Sequence, residues 1–310
     1  NGFGYITDGK TAMNKALILS DARVGHENQS IAFCKHLNLD YEIIKISFKN
    51  RWLKAISYVF DLLGLKFKIF TSQIPTKNSY DVVVSAGSNT YYALKYYAKK
   101  LNAKSVAMMN VKGYKNDFDL MFVMSHDYKK NLKNAVLVPV NLNYPSKNHF
   151  YTPTKKAIAF IIGGTNRNFD FDENSVFDEI KTICDKFINY EKLITTSPRT
   201  PKKLEDKLMG LNFDFSVFYS QNKINPIADF LEFCDYVFIT SDSTSMISEA
   251  VCNGKANIEI INYSPSKKEN KYHKFIQNLE TSGFLHVYNG NISNNSLKFD
   301  ISKALKEVKL

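Results

Sequence analysis

Residues 236–260 read YVFITSDSTSMISEAVCNGKANIEI. The first five are β-branched or aromatic and make an apolar run of strand length, which ends in a cluster of Ser, Thr and Asp. A helix is expected over 245–253 and a second strand over 256–261. Strand, helix and strand in that order form the crossover unit of a parallel sheet, because parallel neighbours need a long return connection. The first N–H groups of such a helix have no partner within it, and with the helix dipole they attract phosphate oxygens. Hydroxyls of Ser243, Thr244 and Ser245 can add donors, and Glu249 lies one turn in, where a carboxylate can accept from ribose hydroxyls. The same letters fit plain capping, with Ser245 paired to Ser248 or Glu249, and spacing does not separate the two.

The alternation extends through the chain. Strands are expected over 15–20, 41–47, 81–86, 105–109, 120–124 and 136–140, with amphipathic helices over 28–37 and 91–101. A second series places strands at 157–162, 192–196, 215–219 and 236–240, and helices at 173–187, 201–211 and 226–233. Between them NLNYPSKNHFYTPT, residues 141–154, has no period and reads as a linker. Leu297, Ile301, Leu305 and Val308 lie close to a helical stripe over 294–309. The expected fold class is therefore α/β: two Rossmann-like domains facing across a cleft, over 13–145 and 155–310, with a C-terminal helix. Residues 1–12 lack periodicity and are read as a leader outside the fold.

A chain of 310 residues exceeds what one core usually serves, and 44% apolar with 23% charged residues describes an ordinary folded protein. No stretch approaches the ~20 continuous apolar residues of a spanning helix, and no apolar signal core stands near the start. Cys34, Cys184, Cys234 and Cys252 form no C-x-x-C pair, so they read as reduced core thiols of a cytoplasmic protein rather than zinc ligands or a disulfide frame.

The net charge of +11 is uneven: residues 1–150 hold 21 Lys/Arg against 10 Asp/Glu, and residues 151–310 hold 20 against 20. The first half is thus expected to meet something anionic, a membrane surface, a phosphorylated lipid or an acidic glycan. Helix-turn-helix, RNP and zinc-finger signatures are absent, so nucleic acid is not an expected partner. Within 45–70, Lys45, Lys49, Arg51, Lys54, Lys66 and Lys68 mix with aromatic residues, while Trp52, Ile56, Val59, Phe60 and Leu63 share one helical face. That pattern fits an interfacial helix, or a face packed on the sheet.

Three further strand-end loops carry chemistry. In AIAFIIGGTNRNF, residues 157–169, Gly163 and Gly164 follow a buried strand and would let a ligand approach the backbone. A G-x-G-x-x-G fingerprint is absent, which counts against a dinucleotide dehydrogenase. In TTSPRTP, residues 195–201, Thr200 is expected to cap a helix beginning at Pro201, and Arg199 stands at the sheet edge with a guanidinium fork suited to a diphosphate. In LILSDARVGHENQS, residues 17–30, a histidine in a first strand-to-helix loop can take a proton from an acceptor hydroxyl, so His26 is the expected base and Asp21 and Glu27 the next candidates. Residues 85–90, SAGSNT, repeat the pattern of strand followed by small residues.

Together these segments resemble the "elongated mitochondria" fission-factor family and its bacterial relatives. Asp21-Ala22-Arg23-Val24-Gly25-His26-Glu27-Asn28-Gln29 is similar to its D-G-R-P-G-H-E-N-Q loop, with Ala22 and Val24 replacing Gly and Pro. Ile162-Gly163-Gly164 matches its I-G-G, Ser197-Pro198-Arg199-Thr200-Pro201 its S-R-R-T-P, and the run from Thr240 to Ala250 its T-x-D-S-x-S-M-x-x-E-A. The family looks like GT-B transferases, among which a first-loop histidine and an E-A pair recur; this resemblance implies roles for His26 and Glu249.

The reading that follows is a glycosyltransferase acting on a glycan or lipid-linked acceptor at the cytoplasmic membrane face. The donor nucleotide-sugar, a substrate rather than a cofactor, would be held by Gly163, Gly164, Thr165, Ser197, Arg199, Thr200, Asp242, Ser243, Thr244, Ser245, Met246 and Glu249. No metal is expected, because arginine and helix dipoles can stabilise a leaving diphosphate. The alternatives are a catalytically inactive binding or scaffold protein of the fission-factor type and a sugar-nucleotide epimerase.

Overall fold

The computed structural model describes residues 15–128, 132, 134–166, 169, 171–263, 271–294, 296–306 and 308. The leader expected at 1–12 lies outside the described residues. The chain divides into two compact units, one of Asn1–Tyr144 with Ile301–Leu310 and the other of Pro145–Asp300.

In the first unit the strands are β1 (Lys15–Ser20), β2 (Asp40–Ser47), β3 (Thr71–Ser72), β4 (Val82–Ala86), β5 (Lys104–Met108), β6 (Leu120–Met124) and β7 (Ala135–Val138). Helices α1 (Val24–His36), α2 (Arg51–Leu62) and α3 (Tyr91–Leu101) connect them. The sheet order is β3-β2-β1-β4-β5-β6-β7, parallel except for β3 against β2. β4, VVVSA, and β6, LMFVM, are buried throughout, as strands covered on both faces must be. Leu17, Leu19, Val83, Tyr91, Tyr92 and Phe118 lie in one core cluster, and each such buried side chain contributes about 1.5–3 kcal/mol.

The second unit repeats the plan with β8 (Ala157–Ile162), α4 (Glu173–Lys186), β9 (Glu191–Thr196), α5 (Lys202–Met209), β10 (Phe215–Val217), α6 (Ile227–Phe233), β11 (Tyr236–Thr240), α7 (Thr244–Cys252), β12 (Asn257–Ile261), α8 (Lys271–Thr281) and β13 (His286–Val287). Its wholly parallel sheet runs β10-β9-β8-β11-β12-β13. Counted within the unit this is the order 3-2-1-4-5-6 of a doubly wound sheet. Its direction reverses between the first and fourth strands, at β8 and β11 here and at β1 and β4 in the first sheet, and α/β sheets bind ligands at that point.

Four expectations are corrected. Helix α1 begins at Val24 rather than 28, so His26 and Glu27 stand in its first turn. The C-terminal helix is only α9 (Ile301–Lys306), which groups with the first unit and buries Ile301 and Leu305 one turn apart. Before it the described residues from 284 on hold no helix: Leu297 is exposed, its N–H bonds Gly283 O, and the Phe299 N–H bonds Val251 O. The segment read as linker is tied down in part, because the N–H groups of Phe150 and Tyr151 donate to Asp229 and Thr154 donates to Glu191. Cys34 and Cys234 are buried as expected of core thiols, but Cys184 and Cys252 are only half-buried.

Candidate functional site

At the switch point of the first sheet, Asp21 leaves β1 and His26 enters α1. The turn between them depends on Ala22, whose φ of 62° is rare for a residue with a Cβ. It brings His26 Nδ1 to 3.1 and 3.2 Å from the two Asp21 oxygens. Burial works to raise the Asp21 carboxyl, but the hydrogen bonds from His26 and the Arg23 N–H, with the nearby Arg23 charge, outweigh it and hold the group below the usual carboxylate range. An ionised carboxylate only accepts, so Nδ1 carries a hydrogen, and in the neutral ring Nε2 is then the acceptor. Gly87, after β4, has φ +90°, and a Cβ there would lie 2.5 Å from the imidazole; the ring therefore lies on the glycine. Asn89 donates to Asp21 at 3.5 Å and accepts from Lys54 Nζ at 2.5 Å. Glu27 faces elsewhere, accepting from Ser20 Oγ at 2.5 Å while Ser20 accepts from the Ala22 N–H.

At the switch point of the second sheet the buried carboxylate of Asp242 is the centre. Its Oδ1 accepts from Thr240 Oγ1 at 2.7 Å, and its Oδ2 accepts from the Gly164 N–H at 3.0 Å and pairs with Arg199 Nη2 at 2.7 Å. Asn166 Nδ2 donates to the Asp242 carbonyl at 3.0 Å, and the Gly163 N–H donates to Thr240 Oγ1 at 2.7 Å. Here the glycines serve the protein itself. A Cβ on Gly163 would lie 2.2 Å from Asp242 Oδ1 and one on Gly164 2.0 Å from Arg199 O. The Thr165 N–H bonds Arg199 O at 3.2 Å, so these three N–H groups, expected to cradle a ligand, are engaged internally.

Thr200 is likewise a strut rather than the expected helix cap. Its hydroxyl donates to Gly163 O at 2.5 Å and accepts from the Ser197 N–H at 2.9 Å, while Pro201 occupies the cap position of α5. Ser197 Oγ accepts from the Arg199 N–H at 3.2 Å, fixing the arginine backbone. The guanidinium remains about a third exposed beyond its Asp242 contact.

Helix α7 is capped by Ser243, not Ser245: its Oγ accepts from the Met246 N–H at 3.5 Å, and the Ile247 N–H makes the first backbone bond to Ser243 O. The N–H groups of Thr244 and Ser245 therefore precede the helical ladder, and Ser245 is exposed. Glu249 is half-buried in the next turn, and burial pushes its carboxyl up to about 7. The structure thus brings Asp21 and His26 together in one unit and Gly163, Gly164, Thr165, Arg199, Thr200 and Asp242 together in the other, while Glu27 turns to Ser20. Sequence reasoning missed the parts of Gly87, Asn89, Lys54, Thr240 and Asn166; the small residues after β4 were the one signal for the first two.

Two doubly wound parallel sheets with polar loops at their switch points define a two-unit α/β protein of the GT-B type. The chain belongs to the family described as Mitochondrial fission ELM1, whose model matches residues 24–306. It is similar to the uncharacterized protein RP120 of Rickettsia prowazekii (strain Madrid E), 26% identical over 328 residues that cover 89% of this chain and 91% of the relative. Among solved structures, a Listeria monocytogenes chain proposed to be a UDP-N-acetylglucosamine 2-epimerase matches with a TM-score of 0.53 at 11% identity, over 96% of this chain and 87% of that one. The glycosyltransferase SnogD from Streptomyces nogalater matches with a TM-score of 0.50 at 8% identity, over 90% and 88%. At these identities the likeness to the solved structures is one of fold.

Proposed function

We propose that the protein transfers a sugar from a nucleotide-sugar donor to a glycan or lipid-linked acceptor at the cytoplasmic face of a membrane. The observation that carries this reading is the charged cluster at the switch point of each sheet, where α/β folds bind ligands. Asp21 holds the His26 ring, and Nε2 takes the proton of the acceptor hydroxyl as the new glycosidic bond forms. The departing nucleoside diphosphate is met by the Arg199 guanidinium and by the Thr244 and Ser245 N–H groups, with Glu249 accepting from the ribose. Gly163, Gly164, Thr200 and Asp242 shape the loops that present Arg199.

Thermal melting against UDP, GDP, CMP and their sugar conjugates tests the donor half of the reading. Nucleotide at a hundred times its dissociation constant stabilises by ~2.7 kcal/mol. No shift with any of them at millimolar concentration overturns the proposal. Donor converted without an acceptor makes the protein an epimerase or hydrolase, and donor bound without turnover across an acceptor panel makes it a binding protein.

A further inference from the structure

Helix α2 is built inside out. Its two most buried side chains are polar: Ser57 Oγ meets Tyr114 Oη at 2.8 Å, and Asp61, 1% exposed, accepts from Lys95 Nζ at 2.8 Å, Lys66 Nζ at 2.9 Å and the Lys115 N–H at 2.8 Å, with Tyr58 and Phe60 half-buried beside them. The opposite stripe follows the helical repeat and is apolar, yet it faces outward: Trp52 is 80% exposed, Ile56 40%, Val59 54% and Leu63 65%, with Leu62 beside them at 66%. Of the face read from the sequence, only Phe60 packs inward, half-buried against the core and edge-on to Phe67; Trp52, Ile56, Val59 and Leu63 do not. A soluble monomer rarely leaves such a stripe uncovered.

Charge says what covers it. Lys49 and Arg51 are exposed at the start of the helix and Lys68 is exposed just after it, whereas Asp61, the single carboxylate within 45–70, is buried in its ion pairs. Lys54 is turned inward onto Ser88 and Asn89 and does not belong to this surface. A second copy docking by two-fold symmetry would set Lys49, Arg51 and Lys68 near their own counterparts, which repel. An anionic bilayer satisfies both features at once: apolar side chains enter the acyl boundary while the flanking cations meet headgroup phosphates.

We infer that the outer face of α2 is a membrane-docking surface specific for anionic lipid, with Trp52 as its deepest anchor. The inference is independent of any glycosyl transfer, since it rests on the helix alone. Trp52 is the only tryptophan in the chain, so its emission reports this face directly.

The test titrates the whole protein with phosphatidylcholine vesicles with and without phosphatidylglycerol, following Trp52 emission and co-sedimentation. With phosphatidylglycerol the emission shifts to the blue and protein sediments. Added salt reverses sedimentation, because the cations act over a Debye length of ~8 Å at physiological ionic strength. Lys49→Glu with Arg51→Glu weakens partitioning by about 25-fold or more, at roughly fivefold per charge lost, and Val59→Glu abolishes the emission shift. Melting curves that match the native chain show that both variants are folded. Unchanged emission with no sedimentation on anionic vesicles overturns the inference. So does emission already blue-shifted in a dimer without lipid, which would give this face to a second copy.

Discussion

His26 and Asp21 form a hydrogen-bonded pair in which the ring nitrogen facing the carboxylate is Nδ1, 3.1 Å from Oδ1. The carboxylate side chain is 3% exposed and the imidazole 18%. A buried, ionised partner on Nδ1 fixes the tautomer and leaves Nε2 as the basic atom, an arrangement in which the two residues act as a unit.

His26→Ala is therefore expected to lower turnover by ~10²–10⁴ while leaving nucleotide affinity unchanged, and Asp21→Asn to fall in the same range because the wrong tautomer then faces the acceptor. Single-turnover rates beside equilibrium binding for both variants check this. Full activity in His26→Ala would move the base to another residue, Asp21 or Glu27 being the next candidates.

Gly87→Ala places a methyl 2.5 Å from the imidazole at a φ of +90°. It should lower unfolding free energy by ~1–3 kcal/mol and reduce turnover more than donor affinity, since the ring is pushed off its carboxylate. Urea unfolding and kinetics on one preparation separate the two effects.

The strand-end loops were legible because buried apolar runs such as β4 and β8 stop abruptly in small residues. The pairing of Asp21 with His26 was not, since it depends on a left-handed turn at Ala22, a residue that signals no turn. Gly163 and Gly164 announced a close approach, but what approaches is Asp242 and the Arg199 backbone, brought there by long-range strand pairing. The two faces of α2 could be read along the helix, yet which one packs depends on Lys95 and Tyr114, waiting for Asp61 and Ser57.

Arg199→Lys keeps the charge but loses the fork that can touch Asp242 and a phosphate together, so nucleotide binding should weaken by about tenfold or more. Asp242→Asn should cost ~1–3 kcal/mol of stability, because the Arg199 guanidinium loses its charged partner and Thr240 loses an acceptor. Calorimetric titration with nucleotide reads the first effect and denaturant unfolding the second. Unaltered nucleotide affinity in Arg199→Lys would remove Arg199 from the donor site.

Glu249 ties stability to pH. Its carboxyl is raised by burial from 4.5 in the open chain to about 7 when folded, so folding favours the protonated form. The stability it contributes is fully present below 4.5 and is lost as pH rises through about 7. Relative to Glu249→Gln, which cannot ionise, the native protein should lose roughly 2–3 kcal/mol across that window and run parallel to it on either side. Denaturant unfolding of both proteins at a series of pH values checks this, and parallel curves throughout would show that the carboxyl is not desolvated. Saturating nucleotide adds a second readout. Ribose hydroxyls donating to Glu249 favour its ionised form, so the bound protein should show a smaller pH-dependent loss, whereas a loss that nucleotide leaves unchanged would place the ribose elsewhere.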